Sequence, residues 1–102
     1  MAVENVLAQH IEKTPGVVGG KARIAGTRIT VQNIVVWHER QAMSPDEIIA
    51  EFPQLTLADV YAALAYYFDN RQEFDESFAR EKAFVEEMKM RYPSKLKEKL
   101  GQ

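Results

Sequence analysis

The chain contains no cysteine, so neither a disulfide framework nor a thiolate metal site is open to it. Its two histidines, His10 and His38, stand far apart and have no metal-ligand spacing. No apolar run approaches the roughly 18 residues needed to span a membrane. The N-terminus, MAVENVLAQHIEK, lacks the basic-then-apolar pattern of a signal peptide, and a cytoplasmic protein is expected. At 102 residues the chain is too short to divide into two well-cored domains, so one domain is expected, with residues 1–70 as its core and 71–102 as a charged helix and tail. With 46% hydrophobic and 27% charged residues, it has the balance of a globular protein rather than a disordered chain.

Charge is missing in one place. Residues 42–70 carry five acids (Asp46, Glu47, Glu51, Asp59, Asp69) and no Lys or Arg. Residues 1–41 carry five basic side chains, Lys13, Lys21, Arg23, Arg28 and Arg40, against Glu4, Glu12 and Glu39. From Arg71 onward, eight bases stand against seven acids, and the whole chain nets −2.

Glycine is also sparse, with four of the five falling in residues 15–31, PGVVGGKARIAGTRITV. A lysine after paired glycines invites a test as a phosphate-binding loop. That loop needs glycine five residues before Gly20 and a hydroxyl after Lys21, but the positions hold Pro15 and Ala22. Gly16, Gly19 and Gly20 also miss the dinucleotide-binding spacing. No cofactor site is expected, and the glycines are read as turn residues.

The segment around 5–12 is ambiguous, since Val6, Leu7 and Ile11 suit a strand or a helical turn. Thr14-Pro15-Gly16 reads as a turn. Residues 21–25 and 27–31 are two extended runs hinged at Gly26, a small hairpin that needs a partner to be stable. From Val31 to Gln41 the period becomes helical, with Ile34, Val35 and His38 on the face of Val31. Ser44-Pro45-Asp46-Glu47 is a capping box with proline at the first helical position, and Ile48, Ile49 and Phe52 form the buried stripe ended by Pro53. Thr56 and Asp59 open another helix, buried through Leu57, Val60, Leu64, Tyr67 and Phe68. After a break at residues 70–73, a charged helix runs from Asp75 to Arg91, closed by Pro93 and followed by a frayed tail, SKLKEKLGQ. The fold expected is mainly α: a short N-terminal β-hairpin, a helix-turn-helix bundle and a long C-terminal helix.

Catalytic chemistry finds no footing. Ser44, Ser77 and Ser94 lie at a cap, on a charged helix and in the tail, and none forms a nucleophile elbow. Asp46, Glu47 and Asp59 each sit in a helix's first turn, where capping and the dipole explain them. Tyr61, Tyr66 and Tyr67 suit core and interface, and His38 suits surface or packing. A recognition helix normally offers Arg, Lys, Asn or Gln to base edges. The helix from Leu57 instead exposes Ala58, Asp59, Ala62, Ala65 and Tyr61 within an acidic block, a poor surface for a polyanion. If DNA is bound, the candidates are Lys21, Arg23 and Arg28 on the hairpin, six cations in a dimer. Against this, Arg23 and Arg28 equally suit solvated strand positions or salt bridges to the acidic helices.

GVVGGKARIAGTRITVQNIV followed by MSPDEIIAEFPQLTLADVYAALAYYFDN resembles the bacterial family catalogued as domain of unknown function 433, described as antitoxin-like. The most specific pieces are Gly20-Lys21, Gly26-Thr27-Arg28 and Phe52-Pro53-Gln54-Leu55-Thr56, and the likeness runs from about Pro15 to Asn70. Ala22 departs from it, since the family more often has proline there. The resemblance implies a homeodomain-like helical domain with an N-terminal β element, no catalytic residues, and the antitoxin role in a type II toxin–antitoxin pair beside a PIN-like ribonuclease. On that footing the expectation is a homodimer whose hairpin and helix-turn-helix meet operator DNA and whose helix from Asp75 covers the toxin. The alternative is a protein-interaction or dimerisation module that never touches DNA.

Overall fold

The computed structural model describes residues 9–92; the expectations for Val6, Leu7, Pro93 and the SKLKEKLGQ tail lie outside them. Two short strands, β1 (Ile11–Glu12) and β2 (Arg23–Ile24), pair antiparallel with Ile11 opposite Ile24 and Glu12 opposite Arg23. Four helices follow among the described residues: α1 (Val31–Val35), α2 (Pro45–Glu51), α3 (Leu57–Asp69) and α4 (Arg71–Arg91). The expected architecture of a small β element followed by helices is observed, and none of the described helices is long and apolar enough to cross a membrane.

The hairpin differs in detail from the sequence expectation. Residues 27–31 pair with β2 only through one bridge, Arg23 with Thr30. It is closed by Ile24 N–H donating to Ile29 O at 2.8 Å and Val31 N–H donating to Ala22 O at 2.9 Å. Gly26, at φ 76°, makes the reversal. The second arm is short because Thr30 is already committed to α1. Its hydroxyl accepts from Asn33 N–H while its own N–H donates to Asn33 Oδ1, both at 3.0 Å, a capping box with Asn in the usual Glu position.

The capping box read at Ser44 is formed, and the helix start read at Thr56 and Asp59 is a second one. Ser44 and Glu47 exchange hydrogen bonds at 3.1 Å, with Pro45 first in α2. Thr56 and Asp59 do the same at 2.9 and 3.1 Å ahead of α3. The run from Val31 is not one regular helix: Val36–Arg40 widen into a π-helical turn, ended by Ala42 at φ 55°. There Trp37 stacks on Phe52, centroids 4.2 Å apart and planes 11° apart. That stack explains the placement of Phe52, which reaches across to the π turn.

The chain divides into two compact units between Asn70 and Arg71. In the first, α3 is the spine on which α1, α2 and both strands pack. Ile24, Val31, Ile34, Val35, Ile48 and Val60 are its largest fully buried side chains. Two expected core residues of α3, Leu57 and Phe68, are exposed, whereas Ala62, expected outside, is buried. The buried face of α3 is thus carried by Val60, Ala62, Ala63, Leu64 and Tyr67.

The second unit contains α4, which starts at Arg71 rather than Asp75. Arg, Gln and Glu at 71–73 are strong helix formers, so losing the apolar pattern there does not interrupt the helix. Asn70 alone is the break, its side-chain amide donating to Tyr66 O at 2.9 Å.

Candidate functional site

The three hairpin cations occupy different environments. Arg23 is only 8% exposed. Its Nη1 pairs with Glu12 Oε2 at 2.7 Å and its Nη2 donates to Thr14 Oγ1 at 3.0 Å. The guanidinium is therefore held inward, joining β1, the following turn and β2, and of the alternatives open for it the salt-bridged one is observed. Its partner is Glu12 on β1 rather than an acid of the helices.

Lys21 and Arg28 face solvent. Lys21 follows a left-handed turn in which Val18, Gly19 and Gly20 have φ of 42°, 69° and 75°. Gly20 N–H closes onto Val17 O at 2.9 Å and Lys21 N–H onto Val18 O at 3.3 Å. Arg28 sits on the reversal after Gly26, where the Thr27 hydroxyl donates to Ile24 O at 2.9 Å and accepts from Ile29 N–H at 3.1 Å. Lys21 and Arg28 are thus exposed on either side of β2, whereas Arg23 within it is buried.

Sequence reasoning missed a polar clasp between the N-terminal segment and α3. His10 Nδ1 lies 2.8 Å from Asp59 Oδ1, although the residues are 49 apart in sequence. The other carboxylate oxygen of Asp59 accepts from Thr56 N–H. Burial pushes the Asp59 carboxyl up, but the Thr56 and His10 hydrogen bonds and the His10 charge outweigh it and hold the group below the usual carboxylate value. No local signal announces this pairing, because Asp59 already had a sufficient reason to be acidic as a capping residue. Lys13 adds a second link to α3, its Nζ 5.9 Å from the Tyr66 ring centroid.

His38 lies on the π turn with a buried Nδ1 that makes no hydrogen bond among the described residues. Glu39 Oε2 stands 3.6 Å away, beyond hydrogen-bond reach. No group of three or more His, Asp or Glu side chains able to hold a metal occurs among the described residues.

The helices contribute the opposite charge and an apolar face. α2 and α3 carry Asp46, Glu47, Glu51, Asp59 and Asp69 with no cation. Leu57, Tyr61 and Phe68 on α3 are exposed, Tyr61 and Phe68 by more than half. Spaced four and seven residues apart, they form one stripe along the helix.

Against known proteins, the family described as "Protein of unknown function (DUF433)" matches residues 11–67. No curated protein matches the chain. Among solved structures, the crystal structure of a DUF433 member protein from Anabaena variabilis ATCC 29413 is similar over 74% of each chain, at 39% identity and a TM-score of 0.64.

Proposed function

The chain belongs to the DUF433 family, and from that premise we propose that it is a non-enzymatic, antitoxin-like protein of a bacterial type II toxin–antitoxin pair, cytoplasmic and dimeric, that binds its own operator. The observation carrying the DNA part is the exposure of Lys21 and Arg28 on one β element. In a dimer they supply four cations, a β-ribbon contact to phosphates. Arg23 is withdrawn from this role, being committed to Glu12 and Thr14. The α2–α3 pair keeps the proportions of a helix-turn-helix, but its acidity turns it away from a duplex.

That acidity suits the other partner. A ribonuclease must attract a polyanion, so its working face is electropositive. An antitoxin covering that face needs an acidic surface with apolar anchors, and α2–α3 has both in its five acids, Tyr61 and Phe68. The covering surface is therefore assigned to α2–α3 in preference to α4.

The test is a gel shift on the protein's own promoter at several salt concentrations, with co-expression of the adjacent gene product. Replacing Lys21 and Arg28 by Ala is expected to flatten the salt dependence by roughly 3 to 4 in log–log slope for a dimer. Absence of binding at low salt, with a complex still formed with the neighbouring product, would leave the second reading: an interaction module that never contacts DNA. The acidic, apolar face of α3 is the observation that favours it. Neither binding nor complex formation would remove both.

A further inference from the structure

The reversal that carries Arg28 is held from both ends. Thr27 N–H donates to Ile24 O at 3.0 Å, and the Thr27 hydroxyl donates to the same oxygen at 2.9 Å. Ile29 N–H donates back to that hydroxyl at 3.1 Å, and Ile24 N–H closes onto Ile29 O at 2.8 Å. The Ile24 side chain is itself buried in the core, so the loop is anchored as well as closed. Within it Gly26 makes the turn at φ 76°, and Thr27 commits its hydroxyl to the backbone. Arg28 is left exposed, and its guanidinium has no hydrogen bond or ion pair among the described residues.

We infer that Arg28 is the residue that reads sequence, its guanidinium donating two parallel hydrogen bonds to O6 and N7 of a guanine in the major groove. The inference rests on the operator reading above and assigns the two exposed cations different roles within it. A backbone fixed on both sides of Arg28 leaves only its side-chain torsions to be ordered on binding, which lowers the cost of a directional contact. The guanidinium is a planar fork, and guanine presents two adjacent acceptors to match it. The groove, about 12 Å wide, admits a two-stranded ribbon such as β2 and the arm that follows it. Lys21 ends in a compact point charge with no fork to orient, which suits a phosphate contact that carries no sequence information. A two-fold dimer repeats the arrangement, so one guanine is read in each of two symmetric half-sites.

Gel shifts with the full-length protein compare its own promoter with a shuffled duplex of the same composition. Arg28→Ala and Lys21→Ala each remove one exposed cation per subunit, so both flatten the salt dependence alike. Only Arg28→Ala is expected to lose preference for the promoter, by at least about tenfold, while Lys21→Ala weakens both duplexes equally. Promoter DNA made with 7-deazaguanine, which lacks the N7 acceptor, should bind the native protein at least about fivefold more weakly and leave Arg28→Ala unaffected. Preference retained in Arg28→Ala, equal affinity of the native protein for the two duplexes, or indifference of the native protein to 7-deazaguanine overturns the inference while DNA binding stands. Failure of the native protein to shift either duplex removes the operator reading, and the inference with it.

Discussion

At the scale of single residues, Arg23 shows how a cation that invites a functional reading can be structural. Its guanidinium ties β1, the following turn and β2 together, and the whole side chain is buried. Arg23→Ala is expected to cost about 2–3 kcal/mol, through lost packing and unpaired polar groups. Arg23→Met, which keeps the stem and removes the buried charge, should cost clearly less. Urea unfolding of the two variants compares them directly. Asp59 gives a second prediction at this scale. Its carboxyl is held below the usual carboxylate value, so the ionised form favours the folded state. That contribution is complete above the unfolded value and is lost as pH falls through the lower folded value. Thermal melts between neutral pH and strong acid should therefore show a steeper loss below about pH 4 for the native protein than for Asp59→Asn.

At the scale of elements, what was legible in the sequence was what is local. Ser44 with Glu47 and Thr56 with Asp59 announce their helices because a capping box is written within four residues. The glycine turn before Lys21 and the reversal at Gly26 are equally local. The π turn at Val36–Arg40 left no trace, since an inserted residue in a helix alters no pattern until its partner, Phe52 against Trp37, is known. The two faces of α3 were misread for a similar reason. Leu57 and Phe68 look like core by hydrophobicity yet are exposed, and only the packing of the other elements on α3 reveals that Ala62 and Ala63 are buried. Local geometry also contains a fault that can be tested. Val18 holds φ at 42°, where a β-branched residue is strained. Val18→Asn, a residue that tolerates this region, is expected to raise stability by about 0.5–1 kcal/mol, read as a higher melting temperature.

At the scale of the whole molecule, charge is segregated: cations on the β element, acids on α2 and α3, and a mixed helix beyond Arg71. This separation was fully visible in the sequence; what was not visible was which cations remain outside, because Arg23 and Glu12 meet only when β1 and β2 pair.

The contact between His10 and Asp59 has a further consequence, for the order in which the chain takes shape during synthesis. β1 leaves the ribosome before α3, and one anchor on α3 is made 49 residues later and another, through Lys13 and Tyr66, later still. Until α3 has emerged, the strand has only β2 to hold it, and a two-stranded ribbon alone is marginal. β1 is thus made before the helix that secures it, and is secured only after the closure of a long loop. Weakening the clasp should then hasten unfolding far more than it slows folding.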